Sequence, residues 1–322
     1  MALECPAMRG VIVVTDHDWY QFLAAQGDLD EVNFWRPSDT RTPRRLVPGM
    51  PVIFKLKKRH GGWIVGFGMF VIHKVLPAWL AWDVFKEKNG AATFQEMRDR
   101  VERLRSDHGT GRGGGGVYKI GCLMISGPVF LPREQWVAPP ADWEPNVVQG
   151  ASYDLDSGEG QRVWNELLLR ATRYPAVGPP GETHSAGMPR YGEPVLSRPR
   201  LGQGTFRISV IDAYAGACAV TGEHSLPALE AAHIRPYAEN GPHEVSNGLL
   251  FRSDIHRLFD KGYVAVTPEM RFVVSRRLKD DWENGRTYYP LQGRPIALPK
   301  SIAEQPDRQM LEWHLKTRFL GV

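Results

Sequence analysis

Between Gly10 and about Phe70, apolar and polar positions alternate with the short period of strands. GVIVVT, from Gly10 to Thr15, is a compact apolar run. MPVIFKLKK then sets Val52, Phe54 and Leu56 against Lys55 and Lys57, so the first three are expected inward and the lysines outward. A turn at Gly61-Gly62 should fold WIVGFGMFVIHKV back as a partner strand. Between the first two runs, DHDWYQFLAAQG places Trp19, Phe22 and Leu23 at helical spacing behind a capping Asp16. The stripe Phe94, Met97, Val101 and Leu104 predicts an amphipathic helix, which TGRGGGG breaks before VYKIGCLMISGPVFL returns to strand. Together these elements predict a small, partly closed barrel with helices at its rim, ending near Pro140.

Beyond Pro140 the pattern changes. YDLDSGEGQRVWNELLLRATR predicts one helix with Val163, Leu167 and Leu168 on its apolar face. The following YPAVGPPGETHSAGMPRYGEPVLSRPRLGQG is dense in proline and glycine, as a linker or a surface-hugging arm would be. Phe206, Val210, Ile211 and Tyr214 then open a second domain as a helix. PALEAAHIRPY reads as a strand ending at His233, and NGLLFRSDIHRLFDKG as a strand running into a helix that Gly262 ends. GYVAVTP supplies a further strand, and a final helix closes the chain. The expected organisation is α+β: residues 1–145 a barrel domain, 146–204 a helix and linker, 205–322 the second domain.

Composition narrows the class. A chain of 322 residues with 42% hydrophobic and 24% charged residues is ordinary for a soluble protein of two domains. It holds no apolar run of about 18 residues, so no membrane association is expected. MALECPAMRG lacks the apolar core of a secretory signal, which points to the cytoplasm. The three cysteines, Cys5, Cys122 and Cys218, are isolated, against a disulfide framework. A net charge of +4 says little, but Arg41 to Arg59 carries seven Lys or Arg and no acid, a patch suited to phosphate or simply to water.

Leu229 to Tyr263 gathers His233, His243 and His256 with Asn240 and Asn247. A strand, loop, strand and helix can bring His233, Asn247 and His256 to one point. Phosphodiester hydrolysis needs a base for water, a cation on the scissile phosphate, and help for the leaving oxygen. Neutral imidazole can be the base near pH 7, a divalent ion can take the charge, and an asparagine can order a loop. His224 and His243 are read as ordinary polar residues.

The order and spacing of His233, Asn247 and His256, with CAVTG, AAHIRPY, NGLLF and IHRLFDKGY around them, resemble the HNH (ββα-metal) nucleases of bacterial restriction type. The resemblance covers about Phe206 to Pro268. It implies His233 as general base, Asn247 as loop-ordering residue and His256 as metal ligand, with Asp254 and Asp260 as further candidates. Many such nucleases carry an acid or histidine directly before the base; here Ala232 stands there, so few protein ligands and much water are implied. Glu230, on the same strand face as Ala232, could assist through water. Many also hold a structural zinc on two CxxC pairs. Here only Cys218 remains, with Thr221, Arg252 and Ile255 at the other positions, so no structural zinc is expected.

The first half resembles the PUA-like superfamily, with its EVE, ASCH and SRA members, over about Arg9 to Pro140, through DEVNFWRPSDTRTPRRLVPGMPVIFKLK, GGWIVGFGMFV and AWDVFKEKNGAATFQEM. Such barrels hold a nucleotide turned out of a duplex, stacked on aromatic faces and hydrogen-bonded at its edge. The resemblance implies Trp35 and Trp19 as stacking candidates, Asn33, Ser38 and Asp39 as edge readers, and Arg36, Arg44, Arg45, Lys57 and Lys58 on the backbone. Arg41, Lys55 and Arg59 belong to the same basic group. The expectation is a modification-dependent endonuclease acting on double-stranded DNA with methylated or hydroxymethylated cytosine. It would need a divalent ion, Mg²⁺ before Mn²⁺, Co²⁺ or Ni²⁺, and work as a homodimer. The rivals are an HNH nuclease indifferent to modification and a binding protein whose nuclease site has decayed.

Overall fold

The computed structural model describes residues 8–37, 46–107, 118–145, 147, 150–172, 201–283 and 285–321. The chain divides into two compact units, Met1–Pro199 and Arg200–Val322.

The first unit is a six-stranded mixed sheet. Its strands are β1 (Arg9–Thr15), β2 (Glu31–Arg36), β3 (Pro51–Leu56), β4 (Ile64–Pro77), β5 (Lys119–Phe130) and β6 (Gly150–Asp154), in the spatial order β2-β5-β4-β3-β1-β6. β1 and β3 run parallel, and the other neighbours are antiparallel. β4 shifts register twice against β5, at Phe67/Met69 and Phe70/Ile72. Such bulges bend and twist a strand. One face buries Val13, Val32, Phe34, Phe54, Leu56, Phe70 and Ile125 under helix α1 (His17–Ala24). Helix α2 (Ala78–Phe85) follows β4, and α3 (Phe94–Asp107) buries Met97 and Val101 as its apolar stripe requires.

Two expectations change here. Alternation along β3 fails, because all six of its residues are buried. Lys55 is only 5% exposed and sets its Nζ 4.7 Å from the centre of the Trp143 ring. Burial pushes its ammonium below the usual lysine range. It is therefore removed from the phosphate-holding group. The helix expected in the joining segment, α4 (Gly158–Thr172), lays Val163, Trp164 and Leu167 on Ile12, Ile53 and Phe67, which closes the sheet's other face. β6, which pairs with β1, has no counterpart in the sequence reading.

The second unit begins with α5 (Gln203–Ala213), then the hairpin β7 (Leu229–His233) and β8 (Gly248–Arg252), which runs into α6 (Ser253–Asp260). The hairpin β9 (Val264–Val266) and β10 (Phe272–Val274) follows, then α7 (Arg277–Trp282) and α8 (Arg308–Thr317). Phe206, Val210, Leu249, Phe251, Ile255, Phe259, Phe272 and Leu311 share its core. Gly262, at φ 77°, ends α6 as expected, and its Cα approaches the Arg318 carbonyl too closely for any side chain. Among the described residues, no helix is long and apolar enough to cross a membrane.

Candidate active site

β7 and β8 pair antiparallel with His233 opposite Gly248, so the base candidate sits at the loop end of the hairpin. α6 packs on both strands. Gly248 is required by packing: a Cβ there would lie 2.5 Å from Val210 and 3.0 Å from the Phe206 ring. That close approach of α5 lets Phe206 stack on the His233 imidazole, with centroids 3.9 Å apart and planes 12° apart. His233 Nε2 lies 3.3 Å from Nδ1 of His243, and its own Nδ1 makes no hydrogen bond with a described residue. Burial, then the charges of His243 and His256, push its basicity down to about 4. The ring is therefore neutral near pH 7 and able to accept a proton.

Asn247 is fully buried and laces the loop between β7 and β8. Its Oδ1 accepts from the Arg235 backbone N–H, and its Nδ2 donates to the carbonyls of Arg235 and Pro242, each at 2.9 Å. The Ile234 N–H reaches the Asn247 carbonyl as well. These bonds close the loop from Arg235 to Pro242 and set His243 beside His233.

On α6, Ile255 and Phe259 face the core while His256 and Asp260, one turn apart, face outward. His256 Nδ1 is 2.7 Å from Glu230 on β7, and its Nε2 is 3.4 Å from Asp260. Glu230, expected to act through water, thus bonds the imidazole directly. Asp254 is turned away from this group. Its oxygens are engaged by both prongs of the Arg252 guanidinium, at 2.7 Å each, and by the Tyr288 hydroxyl at 2.9 Å. The Arg252 bonds hold its carboxyl down at about 2. Asp254 is thereby an ion-pair anchor, which corrects the metal-ligand assignment; its partners lie two and 34 residues away, and only the first was visible as a spacing.

Glu230 and Asp260 offer solvent-reached carboxylate oxygens, hard donors suited to Mg²⁺, and the His256 imidazole beside them is a borderline donor. Among the described residues, no three acids, histidines or cysteines are grouped so as to hold a metal ion. The donor set fits an ion that keeps most of its waters. Cys218 is buried, and its Sγ accepts from the Arg252 N–H at 3.3 Å in the core that also holds fully buried Ile255.

In the first unit, two candidates prove to be structural. Trp19 is 4% exposed and meets Phe34, Phe54 and Phe130 edge-on. It cannot stack on a base without unmaking the core. Asn33 is fully buried, and its Nδ2 donates to Asn89, whose own amide holds the carbonyls of Ala81 and Lys86. Trp35 donates its indole N–H to the Asn89 carbonyl and remains partly exposed. Arg36 is partly exposed, Lys57 pairs with Asp16 at 3.0 Å and Lys58 is exposed. Ser38, Asp39, Arg41, Arg44 and Arg45 lie outside the described residues. A cleft of about 610 Å³ is lined by His17, Tyr20, His60, Arg133 and Trp136. The His17 and His60 rings stack there at 4.6 Å. Nothing in the sequence pattern marked it, because its walls come from three distant segments.

The acid side of the second unit's stability follows from its histidines. His314 stacks on Phe259, donates to that residue's carbonyl, and is pushed down to about 4 by burial. Unfolded chains take up these protons near pH 6.5, whereas the folded unit refuses them until about pH 4. Stability is whole above 6.5 and falls with pH through that window, by up to ~1.4 kcal/mol per pH unit for His314. Half-buried His233 adds less. Thermal melts from pH 7 to 4.5 should show a falling midpoint, with a shallower fall for His314→Phe; equal slopes would contradict this origin.

A family model described as HNH endonuclease matches residues 218–267. That segment is an HNH endonuclease domain, and it holds His233, Asn247 and His256. No curated protein matches the chain. Among solved structures, the modification-dependent restriction endonuclease TagI is similar at 12% identity, covering 97% of this chain and 82% of that one, with a TM-score of 0.31. An ASCH protein from Zymomonas mobilis is similar at 13% identity, covering 48% of this chain and 94% of that one, with a TM-score of 0.30.

Proposed function

We propose that the HNH endonuclease domain hydrolyses DNA phosphodiesters on a single divalent ion, under the direction of a first unit that reads a modified cytosine. One observation carries the catalytic part. Within the matched segment the strand-end imidazole of His233, kept neutral near pH 7, feels the charge of His256, whose own imidazole is flanked by two carboxylates. His233 takes the proton of the attacking water at Nδ1, which is not sealed from solvent. Asn247 keeps the strand end and loop in register. His256, with Glu230 and Asp260 beside it, would hold Mg²⁺, which supplies charge neutralisation at the scissile phosphate and the leaving oxygen. Arg257, on the same helix, adds positive charge for the DNA strand.

The reading role of the first unit rests on its resemblance to PUA-like barrels and on basic side chains beside aromatic faces. Trp35 and the cleft lined by His17, His60 and Trp136 are where an extruded base would find ring surfaces. Lys57, Lys58 and Arg36 would hold the strand's phosphates. One such site cuts one strand, so a double-strand break calls for two copies, and a homodimer acting on duplex DNA is the simplest assembly.

The test is cleavage of one duplex sequence in unmodified, 5-methylcytosine and 5-hydroxymethylcytosine forms, with Mg²⁺ or with EDTA. Cutting of a modified duplex alone, abolished by EDTA, is expected. Equal cutting of all three would favour a nuclease indifferent to modification, and binding without cutting in any metal would favour a decayed site.

A further inference from the structure

Catalysis by His233 requires more than its presence, because an imidazole offers a lone pair at only one of its two nitrogens. The stack on Phe206 and the strand register fix the plane of the ring. Neither decides which nitrogen carries the hydrogen, since the two neutral tautomers have the same shape.

We propose that His243 is a positioning residue for the base: its Nδ1 accepts the Nε2–H of His233 and so keeps Nδ1 of His233 unprotonated, facing the water to be activated. The proposal rests on the reading of His233 as the base. The two nitrogens are 3.3 Å apart and the rings stand at 80°, so an edge of one meets a lone pair of the other. Were the hydrogen on His243 instead, Nε2 of His233 would be the acceptor, its Nδ1 would carry the proton, and no lone pair would remain for water. When Nδ1 of His233 gains the water's proton and the O–H bond breaks, an imidazolium forms. An acceptor lone pair at Nε2–H stabilises that cation.

The surroundings of His243 suit this duty. Its ring stacks on Tyr237 at 4.6 Å and meets Phe206 nearly edge-on. Its backbone follows Pro242, whose carbonyl Asn247 holds. The buried amide thus reaches the base by two routes, through the strand end and through His243. On this reading His243 acts on the reaction through His233.

Three variants of the full chain separate positioning from packing. His243→Phe keeps a ring against Tyr237 and Phe206 but offers no acceptor. His243→Asn offers an acceptor near the place of Nδ1. His233→Ala removes the base. In single-turnover cleavage with Mg²⁺ the Phe variant should lose at least about tenfold and the Asn variant should recover most of it, with DNA affinity unchanged. Nitrogen-15 spectra of the metal-free chain in EDTA should show His233 protonated at Nε2 in the wild type and in the Asn variant. The Phe variant should show mixed or reversed tautomers. A wild-type His233 protonated at Nδ1 overturns the proposal even if the Phe variant does not fold, and so does a Phe variant that cuts at the wild-type rate. A His233→Ala protein that still cuts would instead overturn the reading of His233 as base.

Discussion

His233→Ala is expected to lower the single-turnover cleavage rate by about 10³-fold while DNA affinity changes little, the usual worth of a positioned general base. That loss corresponds to about 4 kcal/mol of the barrier. The ring contributes to catalysis through one nitrogen only, so truncation removes the chemistry without removing a contact to phosphate. Its stack on Phe206 is lost as well, but relief of a half-buried imidazole offsets part of that cost, and the thermal midpoint should move little. Measuring cleavage, duplex binding in EDTA and melting on the same preparation decides the matter. Activity within tenfold of wild type would exclude His233 as the base.

Asn247→Ala should act on stability first. Its side chain is fully buried and satisfies the Arg235 N–H and the carbonyls of Arg235 and Pro242. Alanine leaves all three groups without these partners and opens a small cavity. The expected cost is about 3 kcal/mol, with a fall of roughly 10 °C in the melting of the second unit. Cleavage should drop by roughly 10²-fold, because the loop that sets His243 against His233 is no longer laced. Asn247→Asp is informative beside it. A carboxylate can accept from the Arg235 N–H but cannot donate to the two carbonyls, so it should recover little. A melt unchanged in the alanine variant would refute the lacing role.

How far these effects could be foreseen from the chain alone differs between the two units. In the second unit the site residues sit within one short stretch, and hairpin pairing and helix spacing are local rules. The apolar run PALEAAHI ended β7 at His233, and the apolar residues Ile255, Leu258 and Phe259 read as a helix that carries His256; the structure sets His256 and Asp260 on the outer face of α6. Asp254 misled because it shares that turn. Its carboxylate is captured by Arg252 and by Tyr288, and the tyrosine comes from a segment that no local pattern connects to it. His243 was passed over for a related reason. Its meeting with His233 exists only once Asn247 has folded the intervening loop back.

The first unit was legible as elements and much less so as a site. Strands β1, β3, β4 and β5 and helices α1 and α3 follow from runs and stripes. The period of 2 along β3, however, suggested an outward Lys55 that helix α4 and Trp143 cover. Trp19 and Asn33 carry the composition of a recognition site, but they serve the core and a turn. A residue type states what a side chain can do, and only its neighbours in space determine what it is left free to do.

What the chain by itself determined, then, was the α+β class and the strand, loop, strand and helix that carry His233, Asn247 and His256, because each depends on interactions between residues close in sequence. Folding in three dimensions decided which face of β3 is buried, which carboxylates accompany His256 and which ring holds His233. Those outcomes depend on contacts between segments tens of residues apart, and pairwise spacing along a chain carries no information about which distant side chain will fill the remaining space.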